Sequence, residues 1–231
     1  MSLHVLEKLA ATNPECEIWW DSSPLVYAGW KEKVLKDAPA EKKAAWTEQL
    51  TRLFDAATVQ KTGQMGFRGV TTNPPLSLQA IQADPTFWAG EIRKIAKSRG
   101  AADIEGIYWE TYLDVVRQGA ALIRKAWDVS NGKYGYVSGQ VDPRFVTDGA
   151  LMLKQGLELA AIAPNVMVKI PGSKEGYEII EELTARGIST NNTTSFTVPQ
   201  YITCMNAVSR GLERAKKAGV DLSRWRSVIT H

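Results

Sequence analysis

The stretch Asn165-Val-Met-Val-Lys-Ile-Pro-Gly-Ser-Lys-Glu-Gly176 sets one lysine inside an apolar run and stops that run at Pro171-Gly172. A run that is apolar on both faces except at Lys169 predicts a strand of a parallel sheet covered on both sides. Alternation then puts Asn165, Met167 and Lys169 on one face. A buried ammonium gives up its proton more readily than one in water, so neutral amine becomes available to attack a carbonyl carbon and form a Schiff base. The alternative is a lysine that snorkels from the strand end to water or pairs with a carboxylate.

Around this stretch, 231 residues with 44% hydrophobic content suit one domain, residues 1–231, with a sizeable core. The net charge of +3 is dispersed among 25 acidic residues and forms no basic stripe, so no nucleic-acid partner is expected. A small anionic substrate is compatible with it. No apolar run reaches membrane-spanning length, and the start Met-Ser-Leu-His has neither the charged nor the apolar region of a signal peptide. No membrane partner and a cytoplasmic location are expected. Cys16 and Cys204 are too few and too far apart for a disulfide framework. The two histidines, His4 and His231, argue against a zinc site and a Ser-His-Asp triad. No cofactor and no metal are expected.

In chain order, a helix over 3–11 leads to a first strand, Glu17-Ile-Trp-Trp-Asp21, stopped at Ser-Ser-Pro24. Asp21 ends it, at the mouth of a barrel or as a turn and capping residue. Residues 25–62 are helical in pattern. A second strand, from Gly66, ends at Asn73-Pro-Pro75. Asn73 offers a donor and an acceptor to a polyol, or caps the helix that starts near Leu76. Helices are expected over 76–99 and 106–128. The third strand, 134–144, puts Tyr136, Ser138 and Gln140 on one face. Helices over 148–160 and 177–186 flank the lysine strand, with Lys174 and Glu175 at an exposed helix start. The fifth strand, Gly187-Ile-Ser-Thr-Asn-Asn-Thr-Thr-Ser195, is too polar for an ordinary buried strand. It is either a hydrogen-bonding surface inside a barrel or an edge facing water. A helix over 198–218 precedes a sixth strand, Trp225 to His231. The alternation predicts an α/β fold of the TIM-type (β/α) barrel kind. No glycine-rich phosphate loop, metal-ligand cluster or internal repeat appears.

Four ordered segments resemble the transaldolase family: Gly69-Val-Thr-Thr-Asn-Pro, Val137-Ser-Gly-Gln-Val-Asp-Pro-Arg, Val166-Met-Val-Lys-Ile-Pro-Gly-Ser-Lys-Glu-Gly and Gly187-Ile-Ser-Thr-Asn-Asn-Thr. The resemblance implies a (β/α)8 barrel in which Lys169 attacks the C2 carbonyl of a ketose phosphate and Asp21 accepts a hydroxyl proton as the C3–C4 bond breaks. The three-carbon unit left on Lys169 would pass to an aldose phosphate, a step of the pentose phosphate pathway. The same resemblance implies that Asn73 and Asn191 hold substrate hydroxyls, Thr193 helps orient a catalytic water, and Thr230 takes the place of a strand-six serine.

The chain departs from this family in two ways. Gln140 stands where typical transaldolases have a glutamate that shuttles protons with water, and the related fructose 6-phosphate aldolases carry glutamine there. A dihydroxyacetone-releasing lyase is therefore the alternative. The sequence also stops as strand six begins, before two further strands and a phosphate-gripping arginine. An incomplete barrel is expected, with the missing segment or a second copy of the chain as the partner that completes it. A non-catalytic barrel remnant that binds another chain through its open edge is the remaining alternative.

Overall fold

The computed structural model describes residues 3–13, 15–62 and 66–230. The chain divides into two compact units, Met1–Val137 and Ser138–His231, and the boundary falls inside one strand.

In the first unit, α1 (Val5–Thr12) is capped by His4, whose Nδ1 accepts from Leu6 N–H while Glu7 accepts from His4 N–H. Then come β1 (Trp19–Asp21), α2 (Tyr27–Lys36), α3 (Ala40–Arg52) and α4 (Ala56–Thr62). After these follow β2 (Gly69–Thr71), α5 (Pro74–Ala83), α6 (Pro85–Arg99), α7 (Ile104–Val129) and the start of β3 (Tyr136–Gln140). The helical stretch 76–99 is split because Pro85 lacks the N–H to continue α5. Asp84 accepts from Phe87 N–H and caps α6 instead. β1 pairs in parallel with β2, and β2 with β3, in a register that aligns Trp19, Gly69 and Tyr136. The glycine between two aromatic neighbours is required by space. A Cβ on Gly69 would sit 2.7 Å from the Trp19 ring, which stacks on Tyr136 at 6.4 Å between centroids. Trp20 points the other way, into a core with Tyr27, Trp30, Leu50, Leu53, Phe54 and Phe67.

The second unit holds the end of β3, α8 (Gly149–Ala160), β4 (Val166–Pro171), α9 (Lys174–Ala185), β5 (Thr190–Thr193), α10 (Val198–Lys217) and β6 (Ser227–Ile229). β4 pairs in parallel with β5, and β5 with β6. The end of β3 runs beside β4, where Val141 N–H donates to Lys169 O at 3.1 Å. Met152, Leu159, Val168, Ile170, Ile180 and Leu183 are fully buried and form the layer between strands and helices. Ser173 caps α9, so Lys174 and Glu175 open that helix as expected.

In both units parallel strands alternate with helices in chain order, the α/β pattern of a TIM-type barrel, with six strands among the described residues. β5 is bonded on both sides and its Thr190, Asn191 and Asn192 are buried, so the reading of the polar strand as an edge facing water does not hold. The last strand covers Ser227–Ile229; His231 lies outside the described residues. No helix among the described residues is long and apolar enough to cross a membrane.

Candidate active site around Lys169

Lys169 lies in the middle of β4 and is 5% exposed, so the snorkelling alternative does not describe it. Its neighbour Val168 packs toward Gly156 of α8 and Leu183 of α9, which places Lys169 on the opposite face, away from these helices.

That face is polar because β5 makes it so. Asn191 is the register partner of Lys169 and is itself buried. Its Nδ2 donates to Ser138 Oγ of β3 at 3.0 Å, and its Oδ1 accepts from Thr230 Oγ1, just after β6, at 2.8 Å. These two bonds hold the Asn191 amide from both sides. Alternation carries Gln140 onto the face of Ser138 and Thr193 onto that of Asn191, both half-buried. Five of the predicted residues, Lys169, Gln140, Asn191, Thr193 and Thr230, thus belong to one side of the second unit's strands. Ser138 joins them as the residue that holds Asn191.

Asp21 and Asn73 belong to the first unit. Asp21 is exposed at the end of β1. The turn that follows is capped by Ser23, whose Oγ accepts from Leu25 N–H, so the capping alternative for Asp21 is taken by another residue. Asn73 is a cap: its Oδ1 accepts from Leu76 N–H at 2.9 Å, at the head of α5. A polyol would meet its amide NH2 rather than its carbonyl oxygen.

The nearby Val-Asp-Pro-Arg turn has its own electrostatics. Burial alone would push the Asp142 carboxyl up, but hydrogen bonds from the Arg144 guanidinium and backbone N–H, with the arginine's charge, hold it below the ordinary aspartate value. Gln155 of α8 accepts from Asp142 N–H at 3.0 Å and ties the turn to the helix layer.

Three further polar residues went unseen in the sequence: Asn192, Ser195 and Tyr177. They lie on the helix side of β5, linked by hydrogen bonds, and all are buried. The signal for Asn192 was the run Thr190-Asn-Asn-Thr193, polar at consecutive positions and therefore on both faces of one strand.

Residues 53–229 match the family described as Transaldolase/Fructose-6-phosphate aldolase. The chain is similar to a protein named Transaldolase from Mycolicibacterium smegmatis, 38% identical over 80% of this chain and 47% of that protein. A Transaldolase from Thiobacillus denitrificans is 30% identical over 85% of this chain and 55% of its own length. A third, Transaldolase 1 from Streptomyces coelicolor, is 38% identical over 70% of this chain and 42% of its own length. The chain spans about half the length of the curated relatives it matches.

Proposed function

Because the chain belongs to the transaldolase/fructose-6-phosphate aldolase family, we propose that Lys169 carries a dihydroxyacetone unit as a Schiff base and transfers it from a ketose phosphate to an aldose phosphate. The observation that carries this reading is a lysine buried beside an amide that is hydrogen-bonded on both sides. The neutral amine of Lys169 adds to the C2 carbonyl of the ketose, and loss of water leaves an imine. Asp21 takes the proton of the C4 hydroxyl as the C3–C4 bond breaks. The aldose leaves, and the electron pair of that bond becomes the enamine on Lys169. Attack of the enamine on the acceptor's aldehyde, followed by hydrolysis, restores the amine. Asn73 and Asn191 hold sugar hydroxyls, Thr193 orients the hydrolytic water, and Thr230 holds the Asn191 amide in place through its hydroxyl. The same reading places the protein in the cytoplasm.

Gln140 favours a second outcome. An amide holds a water but takes no proton from it, and a positioned general base is typically worth ~10²–10⁴ in rate. If acceptor addition is the step that suffers, the enzyme works as a lyase that releases dihydroxyacetone.

Borohydride reduction in the presence of fructose 6-phosphate, followed by intact-mass measurement and peptide mapping, tests the reading. A reduced sugar adduct on Lys169, absent in Lys169→Met, is the expected result. Addition of erythrose 4-phosphate then separates transfer from cleavage: a seven-carbon product means transaldolase, free dihydroxyacetone alone means lyase. A folded chain without any adduct at Lys169 overturns the reading.

A further inference from the structure

β5 presents Asn191 to the Lys169 face and Asn192 to the face covered by α9. The second of these faces carries many apolar side chains, with Val168, Ile170, Ile180 and Leu183 all fully buried. A polar side chain in such a layer is costly unless every group is paired, and here the pairing is continuous. Asn192 Nδ2 donates to the carbonyl oxygen of Ile170, the residue after Lys169, at 3.3 Å. Asn192 Oδ1 accepts from Ser195 Oγ. Ser195 Oγ lies 3.0 Å from Tyr177 Oη, in the first turn of α9. A serine hydroxyl has one hydrogen, and this one is given to Asn192, so the phenol must be the donor to Ser195. The hydrogens therefore run in one direction, from Tyr177 through Ser195 and Asn192 to the backbone next to Lys169.

The turn between β4 and α9 is shaped around these hydroxyls. A Cβ on Gly172 would come 2.4 Å from Ser195 Oγ and 2.9 Å from Tyr177 Oη, closer than any side chain fits. Gly172 N–H donates to Thr193 O at 2.7 Å, and Gln200 Nε2 donates to Gly172 O at 3.3 Å. The end of β4 is thus held to the end of β5 and to the heads of α9 and α10.

We infer that Tyr177, Ser195 and Asn192 are positioning residues for Lys169: their hydrogen-bond chain fixes the backbone at Ile170–Gly172 and so aims the Lys169 amine at the carbonyl it attacks. This inference rests on the Schiff-base reading of Lys169. A lysine amine sits at the end of a flexible four-carbon stem, so its reach is set by the direction in which its own Cα presents that stem. None of the three side chains lies on the Lys169 face, so none needs to touch substrate. Loss of the chain should slow attack without weakening sugar binding, since a misplacement on the order of 1 Å costs roughly 10²-fold in rate.

The test measures borohydride-trapped adduct on Lys169 over time, across fructose 6-phosphate concentrations, for the full chain and for Tyr177→Phe, Ser195→Ala and the double variant. Tyr177→Phe keeps the ring, and thermal midpoints report any loss of folding. The expected result is a fall of about tenfold in the saturating trapping rate, intermediate within the range for small misplacements, with the half-saturating concentration unchanged. The double variant should be no slower than the slower single variant, because both break one chain. Trapping at the unaltered rate in both single variants, whatever their thermal midpoints, overturns the inference, and so does a rise in half-saturation with no change in rate. Absence of adduct in the unaltered protein removes the Schiff-base reading itself and the positioning role with it.

Discussion

Removing the Ser138 hydroxyl should cost far more than removing the Thr230 hydroxyl, although each makes one hydrogen bond to the same amide. Ser138 is fully buried, and its Oγ accepts from Asn191 Nδ2 at 3.0 Å. Ser138→Ala leaves that amide hydrogen inside the protein with its acceptor gone, and an unsatisfied buried donor costs about 1–3 kcal/mol. Thr230 is half-buried, and its Oγ1 donates to Asn191 Oδ1 at 2.8 Å. Water can reach this position in Thr230→Val and donate in its place, which limits the loss to about 0.5–1 kcal/mol. With ~2–4 °C per kcal/mol for a chain of this size, Ser138→Ala should lower the thermal midpoint by roughly 4–8 °C for a central cost of ~2 kcal/mol, and Thr230→Val by roughly 1–4 °C. Urea unfolding followed by tryptophan fluorescence gives the same comparison as a shift in midpoint at constant slope. A Ser138→Ala loss within about 0.5 kcal/mol of zero, or a Thr230→Val loss larger than it, would refute the assignment of Asn191 as an amide pinned from both sides.

Arg144→Ala should cost stability near neutral pH and make the protein less dependent on pH in the acid range. In the unaltered chain Asp142 is held below its ordinary value, so its stabilising contribution is present above the ordinary value and is lost as pH falls through the lowered one; without the guanidinium the carboxyl rises, that contribution shrinks, and the urea midpoints of the two proteins should differ most near pH 7 and draw together toward pH 3. Gly172→Ala should destabilise by about 1–3 kcal/mol through its approach to Ser195 Oγ and Tyr177 Oη, and Ser195→Gly in the same chain should recover part of that loss; an additive double variant would show that the approach is relieved elsewhere.

Lys169 shows how far periodicity alone reaches. A lysine flanked by Met167-Val168 and Ile170 points to a strand covered on both sides, but the same residues allow a stem that snorkels to water, and the 5% exposure of Lys169 decides between them. The segment around Lys169 and the three companion segments were legible as a family resemblance, because backbone turns at Pro171-Gly172, Asn73-Pro74 and Asp142-Pro143 call for particular residue types. Asn73 was legible only as a choice between two roles. Its cap to Leu76 is a local contact of three residues, yet nothing in the sequence says that the cap is the role it takes.

The sequence by itself determined the order of strands and helices and the polar character of β5, since each depends on periods of two or about four residues along the chain. Only the tertiary structure decided that β5 is flanked on both sides rather than exposed at an edge, because pairing joins residues that are distant in the chain, such as Lys169 with Asn191 and Asn191 with Val228. It alone also separated the two neighbouring asparagines. Asn191 meets Ser138 and Thr230, 53 and 39 residues away, while Asn192 meets Ser195 and the backbone of Ile170. A strand pattern assigns the two to opposite faces, but which face holds the lysine's polar neighbours and which holds a relay among apolar side chains is set by what packs against each side.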